Sequence, residues 1–114
     1  MPRLPAKARA RLAAWAQAAW PEETCGFLLG STGRVRAVTQ VRNAAISPLT
    51  SYAIEPLETL ASAERAARDG FAILGTWHSH PDGAADLSDA DHAGDPWGIV
   101  LVIPVRNPGG RLRS

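Results

Sequence analysis

Three short apolar runs constrain the fold of this chain more than any other feature. They are CGFLLG (25–30), FAILGTWH (71–78) and GIVLVIPV (98–105). Runs of about four to eight apolar residues are typical of buried β-strands, and they are far shorter than the roughly 18 residues of a membrane span. A further segment, RVRAVTQV (34–41), alternates apolar and polar residues after the turn residues that follow the first run. The first run and this segment therefore predict a β-hairpin.

The N-terminal segment, residues 5–19, has the pattern of an amphipathic helix. Apolar side chains recur at helical spacing on one face, at Ala8, Leu12, Trp15 and Ala19. The helix is expected to end before Pro21, because the residue that precedes a proline avoids the helical region. The basic start and the alanines also resemble a secretion signal, but Gln17 interrupts the apolar stretch, and we expect no signal peptide.

A second helix is predicted to begin at Pro56, because proline suits the first turn, where its missing N–H leaves no hydrogen bond unmade. The helix is expected to run to about Asp69, with Gly70 as its C-terminal cap. Its buried positions are expected to be Leu57, Leu60, Ala61 and Ala67. Helices thus alternate with short strands, which predicts an α/β or α+β fold with a mixed central sheet flanked by helices.

Composition and charge exclude several classes of protein. The 114 residues suit a single domain that spans 1–114. The formal net charge is +1, and acidic and basic residues are interspersed, so neither a nucleic-acid-binding surface nor a membrane-binding one is expected. Cys25 is the single cysteine of the chain. A disulfide within one chain is therefore impossible, and a reducing compartment, the cytoplasm, is expected.

The stretch WHSHPDGAADLSDAD (77–91) concentrates side chains that bind metals. His78 and His80 are two residues apart at the end of a predicted strand, so their imidazoles point to the same side and can reach one ion. Ser88 and Asp91 are three residues apart at the start of a predicted short helix and lie on one side of it. Two histidines and one carboxylate leave a coordination position open for water, which is the pattern of catalytic zinc.

The segment PEETCGFLLG (21–30) is expected to supply a general base. A hydrolytic metal site needs a group that takes a proton from water and returns it to the leaving amine. Glu22 and Glu23 stand just before the first predicted strand. Glu23 is two residues before Cys25 and shares its face, whereas Glu22 points the other way if the strand has already begun. Glu23 is therefore the better candidate.

Other interpretations of the same residues stand beside the metal site. A His-x-His pair is also found as structural or exposed histidines, and the two glutamates also suit solvated positions at a strand end. The segment from Ser88 to Asp91 resembles a helix capping box. Asp86 or Asp89 takes the place of Asp91 as a ligand if the loop folds otherwise. Cys25 is expected to be a small buried apolar residue rather than a nucleophile.

Together these residues resemble the motif of the JAMM (MPN+) metalloproteases. That motif is a distant Glu, then His-x-His-Pro, seven intervening residues, a Ser, and an Asp three positions after it. The matching residues here are Glu23, His78, Ser79, His80, Pro81, Ser88 and Asp91. The segments PEETCGFLLG and YAIEP also resemble stretches of that family, and the likeness covers roughly residues 15–105.

The resemblance implies a site, a fold and a chemistry. It implies one zinc ion per chain, held by His78, His80 and Asp91. It implies that Glu23 holds and deprotonates a water at the fourth position, and that Ser88 donates a hydrogen bond to the oxyanion. The implied fold is a single JAB1/MPN domain with a cytidine-deaminase-like α/β architecture.

The resemblance also implies a substrate class. Members of the family cleave peptide or isopeptide bonds after the Gly-Gly tail of ubiquitin-like proteins, and small stand-alone members resemble those that act on sulfur-carrier proteins with the same tail. Such a protein is the expected partner, and a homo-oligomer is compatible with the sequence. One alternative is a RadC-like zinc hydrolase, which the weak basic character disfavours. Another is a non-catalytic MPN scaffold, a group that usually lacks metal ligands. A nucleobase deaminase is not expected, because the Pro-Cys-x-x-Cys signature is absent.

Overall fold

Two helices and four strands make up the part of the chain that the computed structural model describes, residues 4–83 and 99–105. In chain order they are α1 (Ala6–Ala19), β1 (Cys25–Ser31), β2 (Arg34–Val38), α2 (Pro56–Arg68), β3 (Ala72–His80) and β4 (Val100–Pro104). Every predicted element within these ranges is found. Neither helix in this part of the chain is long and apolar enough to cross a membrane.

The strands form one mixed sheet in the order β2–β1–β3–β4. β1 pairs antiparallel with β2 and with β3, and β3 pairs parallel with β4. The hairpin of β1 and β2 turns at Thr32 and Gly33, which both have positive φ. The sheet is flanked by two helices, and the predicted α+β class with a mixed central sheet is confirmed.

The C-terminal end of β3 carries the two histidines, as predicted. The apolar run covers residues 71–78, and β3 continues to His80 before Pro81 begins a turn. The extension is stabilised by β4, because His78 pairs with Val102 and His80 with Pro104. Both histidines therefore belong to a strand, where the backbone is held by neighbours, rather than to a loop.

Each face of the sheet carries its own apolar core. On one face, α1 packs Ala8 and Leu12 against Leu28, Trp77 and Leu101 of the strands. On the other face, α2 packs Ala66 against a second cluster that includes Cys25, Phe27 and Leu29 of β1. Because strand side chains alternate between faces, Trp77 lies on the α1 side and His78 and His80 lie on the α2 side.

Trp77 joins β3 to the chain just after β2 by reaching across β1 on the α1 face. Its side chain is fully buried, its indole Nε1 donates a hydrogen bond to the Thr39 carbonyl oxygen (2.7 Å), and its ring stacks on Trp15. Gly26 leaves the space for this bond. A Cβ at that position would overlap the Thr39 carbonyl oxygen and lie 2.6 Å from the Trp77 Nε1. The glycine is therefore required by close packing and not by backbone conformation.

The prediction of the buried face of α2 was wrong. Leu57, Leu60 and Ala67 are exposed and Ala61 is half-buried, whereas the buried positions are Ser62 and Ala66. The strands already fill this face with large side chains such as Phe27 and Leu29. Since protein interiors are close-packed, a helix that lies on such a surface contributes small side chains to the contact. The leucines at the start of α2 consequently lie on its outer side.

Candidate active site

The two histidines at the end of β3 point into the same buried space. His78 is fully buried and His80 is 8% exposed. Their rings are tilted by 59° with centroids 4.8 Å apart, and their Nε2 atoms are 3.0 Å apart. The two nitrogens therefore converge, as the spacing predicts for neighbours on one face of a strand.

Glu23 joins the histidines because of the way β1 pairs with β3. Cys25 stands opposite His78 in the antiparallel register. The contact continues one step further, where the Ser79 N–H donates to the Thr24 carbonyl oxygen and the Thr24 N–H donates to the Ser79 Oγ, both at 2.9 Å. Extending the same register by one more residue brings Glu23 opposite His80.

These three residues form a possible metal centre. One ligand atom from each of Glu23, His78 and His80 lies within 4.8 Å of the other two, and all three side chains are buried. Two nitrogens bound to zinc at about 2.0–2.1 Å with tetrahedral geometry stand roughly 3.3 Å apart. The observed 3.0 Å between the Nε2 atoms is close to that separation. The residues present fit a small divalent cation.

The main chain of Glu23 is held from two directions although it precedes β1. Its N–H donates to the Pro48 carbonyl oxygen at 2.7 Å, and its own carbonyl oxygen accepts from Asn43 Nδ2 at 2.8 Å. Glu23 is 7% exposed, whereas Glu22 is exposed. Glu23 rather than Glu22 is therefore the acid beside the histidines, and its role as a base stays a prediction.

Tyr52 is a further residue of the site that the sequence patterns did not single out. Its ring stacks on the His78 imidazole, with centroids 4.4 Å apart and planes 19° from parallel. This contact restricts rotation of the imidazole about its bond to the backbone. The only hint in the sequence is the aromatic residue in YAIEP, which marks the family likeness but not this contact.

Four of the residues considered for the site lie outside the described ranges. They are Ser88 and Asp91, together with the alternative acids Asp86 and Asp89. The predicted short helix that begins at Ser88 lies there too. The proposed oxyanion donor, the third metal ligand and the capping-box alternative therefore stay predictions.

Cys25 lies beside this site but is unsuited to act as a nucleophile. It is fully buried, and its Sγ is 4.0 Å from the Val41 carbonyl oxygen. Burial, and to a lesser degree the nearby negative charge of Glu23, raise the pKa of the thiol to about 12. The thiol therefore stays protonated at neutral pH, and the prediction that Cys25 is a buried apolar residue is confirmed.

We expect Cys25 to resist alkylation in the folded protein. At pH 8 a thiol with a pKa of about 12 is ionised to roughly 10⁻⁴, and only the thiolate reacts. Treatment with iodoacetamide followed by intact mass spectrometry should show unmodified folded protein. The same protein in denaturant should become fully modified within the same time. Rapid modification without denaturant would contradict the burial described here.

Comparison with known proteins identifies the family. The sequence model of the family described as prokaryotic homologs of the JAB domain matches residues 5–113. The chain belongs to this family. The predicted JAMM/MPN family is thereby confirmed, and the buried cluster of Glu23, His78 and His80 indicates a metal ion in this JAB domain.

Three curated relatives of this JAB domain have informative names. A desampylase of Haloferax volcanii is 32% identical over 98 residues, which cover 82% of this chain and 68% of the relative. A probable TtuB-protein conjugate cleaving protease of Thermus thermophilus is 35% identical over 73% of this chain and 55% of the relative. A desampylase of Pyrococcus furiosus is 38% identical over 51% of this chain and 41% of the relative. The JAB domain thus matches between 41% and 68% of the length of these relatives.

Two solved structures share the fold of this JAB domain. A protein from Desulfitobacterium hafniense aligns with a TM-score of 0.71 and 31% identity, over 82% of this chain and 66% of that one. A protein from Salinibacter ruber aligns with a TM-score of 0.66 and 28% identity, over 98% of this chain and 78% of that one. The fold of this JAB domain is therefore similar to that of two solved proteins.

Proposed function

We propose that this JAB domain is a zinc-dependent metallopeptidase that hydrolyses peptide or isopeptide bonds after the Gly-Gly tail of a ubiquitin-like or sulfur-carrier protein. The observation that carries the proposal is the convergence of Glu23, His78 and His80, whose ligand atoms lie within 4.8 Å of one another in a buried cluster. Two imidazoles and a carboxylate are groups that hydrolytic zinc sites use. The names of the relatives, two desampylases and a conjugate-cleaving protease, support this reaction class.

Zinc is the proposed metal, with one ion per chain and His78, His80 and Asp91 as its ligands. Imidazole nitrogen suits zinc, and the separation of the two Nε2 atoms supports a shared ion. Asp91 is proposed from its spacing in the sequence and from the family motif. A zinc ion bound there supplies Lewis acidity toward the substrate carbonyl and lowers the pKa of a water to about 7.

Glu23 is the proposed general base. Its carboxylate lies beside the imidazoles, where it accepts a proton from the attacking water and then returns that proton to the leaving amine. Its burial keeps bulk water away, which strengthens the interaction with the reacting groups. Ser88 is proposed to donate a hydrogen bond to the carbonyl oxygen as negative charge develops, a contribution of about 2.7–4 kcal/mol.

The Gly-Gly tail suits the depth of the site. His78 is fully buried and Glu23 is nearly so, so the scissile bond has to reach side chains that lie below the surface. Glycines lack the side chains that would collide there. An extended tail can also add to a strand edge through main-chain hydrogen bonds. We propose residues 44–55 as one wall of the groove that receives it. The loop after Pro81, which is also expected to line the groove, lies outside the described residues beyond Gly83.

The proposal extends to the setting of the enzyme. We propose that residues 1–114 are one domain and that it acts in the cytoplasm, where a lone buried cysteine stays reduced. Its partner is the tailed protein substrate rather than a nucleic acid or a membrane. A homo-oligomer is compatible with this role.

A cleavage assay on defined fusions tests the function. The zinc-loaded protein is incubated with linear and isopeptide-linked fusions of small Gly-Gly-tailed proteins, with and without a chelator. We expect cleavage directly after the second glycine, loss of cleavage with the chelator, and recovery when zinc is added back. Fusions in which the tail is changed to Ala-Ala serve as the control.

Two results would count against this function. Absence of cleavage of every Gly-Gly fusion by protein that demonstrably contains zinc would remove the proposed reaction. Cleavage that is unaffected by the chelator would remove the proposed metal. Salt-sensitive binding to DNA by the same preparation would instead favour the RadC-like alternative.

A further inference from the structure

Asn43 uses every hydrogen-bonding position of its side-chain amide. Its Nδ2 donates to the carbonyl oxygens of Glu23 (2.8 Å) and Ser51 (3.0 Å). Its Oδ1 accepts from the N–H groups of Ala45 (3.0 Å) and Ala53 (3.1 Å). An amide has two donor hydrogens and two acceptor lone pairs, so the group is fully satisfied. If the amide were rotated by 180°, its NH₂ group would face the two backbone N–H groups and its oxygen would face the two carbonyl oxygens. The network therefore fixes the orientation of the amide.

Residues 43–53, here called the Asn43 loop, form a compact turn closed at Asn43. The Ala44 N–H donates to the Ala53 carbonyl oxygen at 2.8 Å, which joins the two ends of the loop. Within it, both the N–H and the hydroxyl of Ser51 donate to the Ser47 carbonyl oxygen. Loops of this length whose ends meet keep their shape through such internal bonds.

The Asn43 loop contacts the site at two separate points. It holds the main chain of Glu23 from both sides, through Pro48 on the N–H and Asn43 on the carbonyl oxygen. It also presents Tyr52, whose ring stacks on the His78 imidazole. One loop therefore contacts both the proposed base and a proposed ligand, and Asn43 joins its two ends to the backbone of that base.

We propose that Asn43 is a positioning residue that sets the Glu23 carboxylate and, through Tyr52, the His78 imidazole for the reaction. This inference rests on the proposed function for its catalytic part, while the link between loop and site is a property of the fold. An interaction that only orients a reacting group lowers kcat when it is lost, and displacements of about 1 Å can cost about 10²-fold.

Two variants and one matched control test this role. Asn43→Asp keeps the acceptor for Ala45 and Ala53 but loses both donors, and it sets a carboxylate against the Glu23 carbonyl oxygen. Asn43→Ala loses all four bonds. Gln40→Ala is the control, because the Gln40 side-chain amide also donates a hydrogen bond near the start of β1, to Thr24 Oγ1 (2.9 Å), but its partner lies outside the Asn43 loop.

Amide hydrogen exchange is the first readout and needs no activity. In Asn43→Ala, exchange at Ala45, Ala53 and Glu23 should become faster by about tenfold or more, because these amides open locally once the loop is released. Amides in the centre of the sheet, such as that of Trp77, should keep their rate. Gln40→Ala should leave the loop amides unchanged. Unchanged exchange at these three positions in Asn43→Ala would overturn the proposal.

Kinetics with a Gly-Gly-tailed fusion is the second readout. Both Asn43 variants should lower kcat by about 10–100-fold per zinc-loaded molecule, with KM changed by less than about threefold. Normal kcat in Asn43→Ala, or an equal loss in Gln40→Ala, would overturn the catalytic part. If the wild-type protein cleaves no fusion, the proposed function fails instead, and the exchange data still decide whether Asn43 holds the loop.

Discussion

Replacing Glu23 by glutamine is expected to lower kcat by about 10²–10⁴-fold while zinc stays bound. This is the rate acceleration that a positioned general base contributes. Glutamine has the same shape and leaves the main-chain bonds to Pro48 and Asn43 in place. Its neutral amide cannot take a proton from water. The measurements are kcat on a Gly-Gly-tailed fusion and the zinc content of the purified variant.

The adjacent glutamate provides the matched control for this change. Glu22→Gln makes the same chemical substitution one residue away, at an exposed position outside the buried cluster. It should keep wild-type kcat and wild-type zinc content. Full activity in Glu23→Gln would end the assignment of Glu23 as the base. Equal inactivation by both substitutions would show that the loss comes from charge or folding rather than from proton transfer.

Replacing His80 by alanine is expected to abolish activity by removing a proposed metal ligand. Loss of a residue that only supports a ligand typically costs about 10–100-fold in metal affinity, and loss of the ligand itself should cost more. His80 suits this test better than the fully buried His78, because it leaves the stack with Tyr52 intact. Zinc affinity is measured by competition with a chromogenic chelator.

The wild-type protein supplies the control for the His80 experiment. Wild type stripped by a chelator should regain full activity when zinc is returned, whereas His80→Ala should not recover at the same zinc concentration. If His80→Ala retains one zinc ion per chain and normal turnover, the histidine pair does not form the metal centre. If purified wild type contains no metal and gains no activity with zinc, the scaffold alternative is favoured.

The histidine pair shows what the sequence can predict about such a site. Side chains alternate along a strand, so residues 78 and 80 lie on one face of any strand that contains both. In the structure both belong to β3. The position of Glu23 depends instead on how β1 aligns with β3, with Cys25 opposite His78. Strand alternation and the need for a general base favoured Glu23 over Glu22, but the local pattern does not contain the register that brings Glu23 next to His80.

Other features depend on packing that no periodicity reveals. The leucines at the start of α2 have the spacing of a buried helix face, but they are exposed to solvent. Large side chains of the strands already fill the sheet face that α2 covers. Asn43 lies in an irregular loop, where its importance comes from three partners within the loop and a fourth, Glu23, that is 20 residues away in the chain. A single polar residue before a turn gives no indication in the sequence of which backbone groups it will join.

The placement of both imidazoles on β3 has a consequence for how this architecture can diversify. The strand that carries them is bonded to β1 on one edge and to β4 on the other. The Cα positions of the two histidines therefore cannot separate unless the sheet itself comes apart, and this backbone spacing is insulated from changes in the surrounding loops. Loops can accept substitutions and insertions far more readily than paired strands. Descendants of such a chain can therefore exchange the molecules they recognise through loops away from Asn43 while they keep the histidine pair on the same strand.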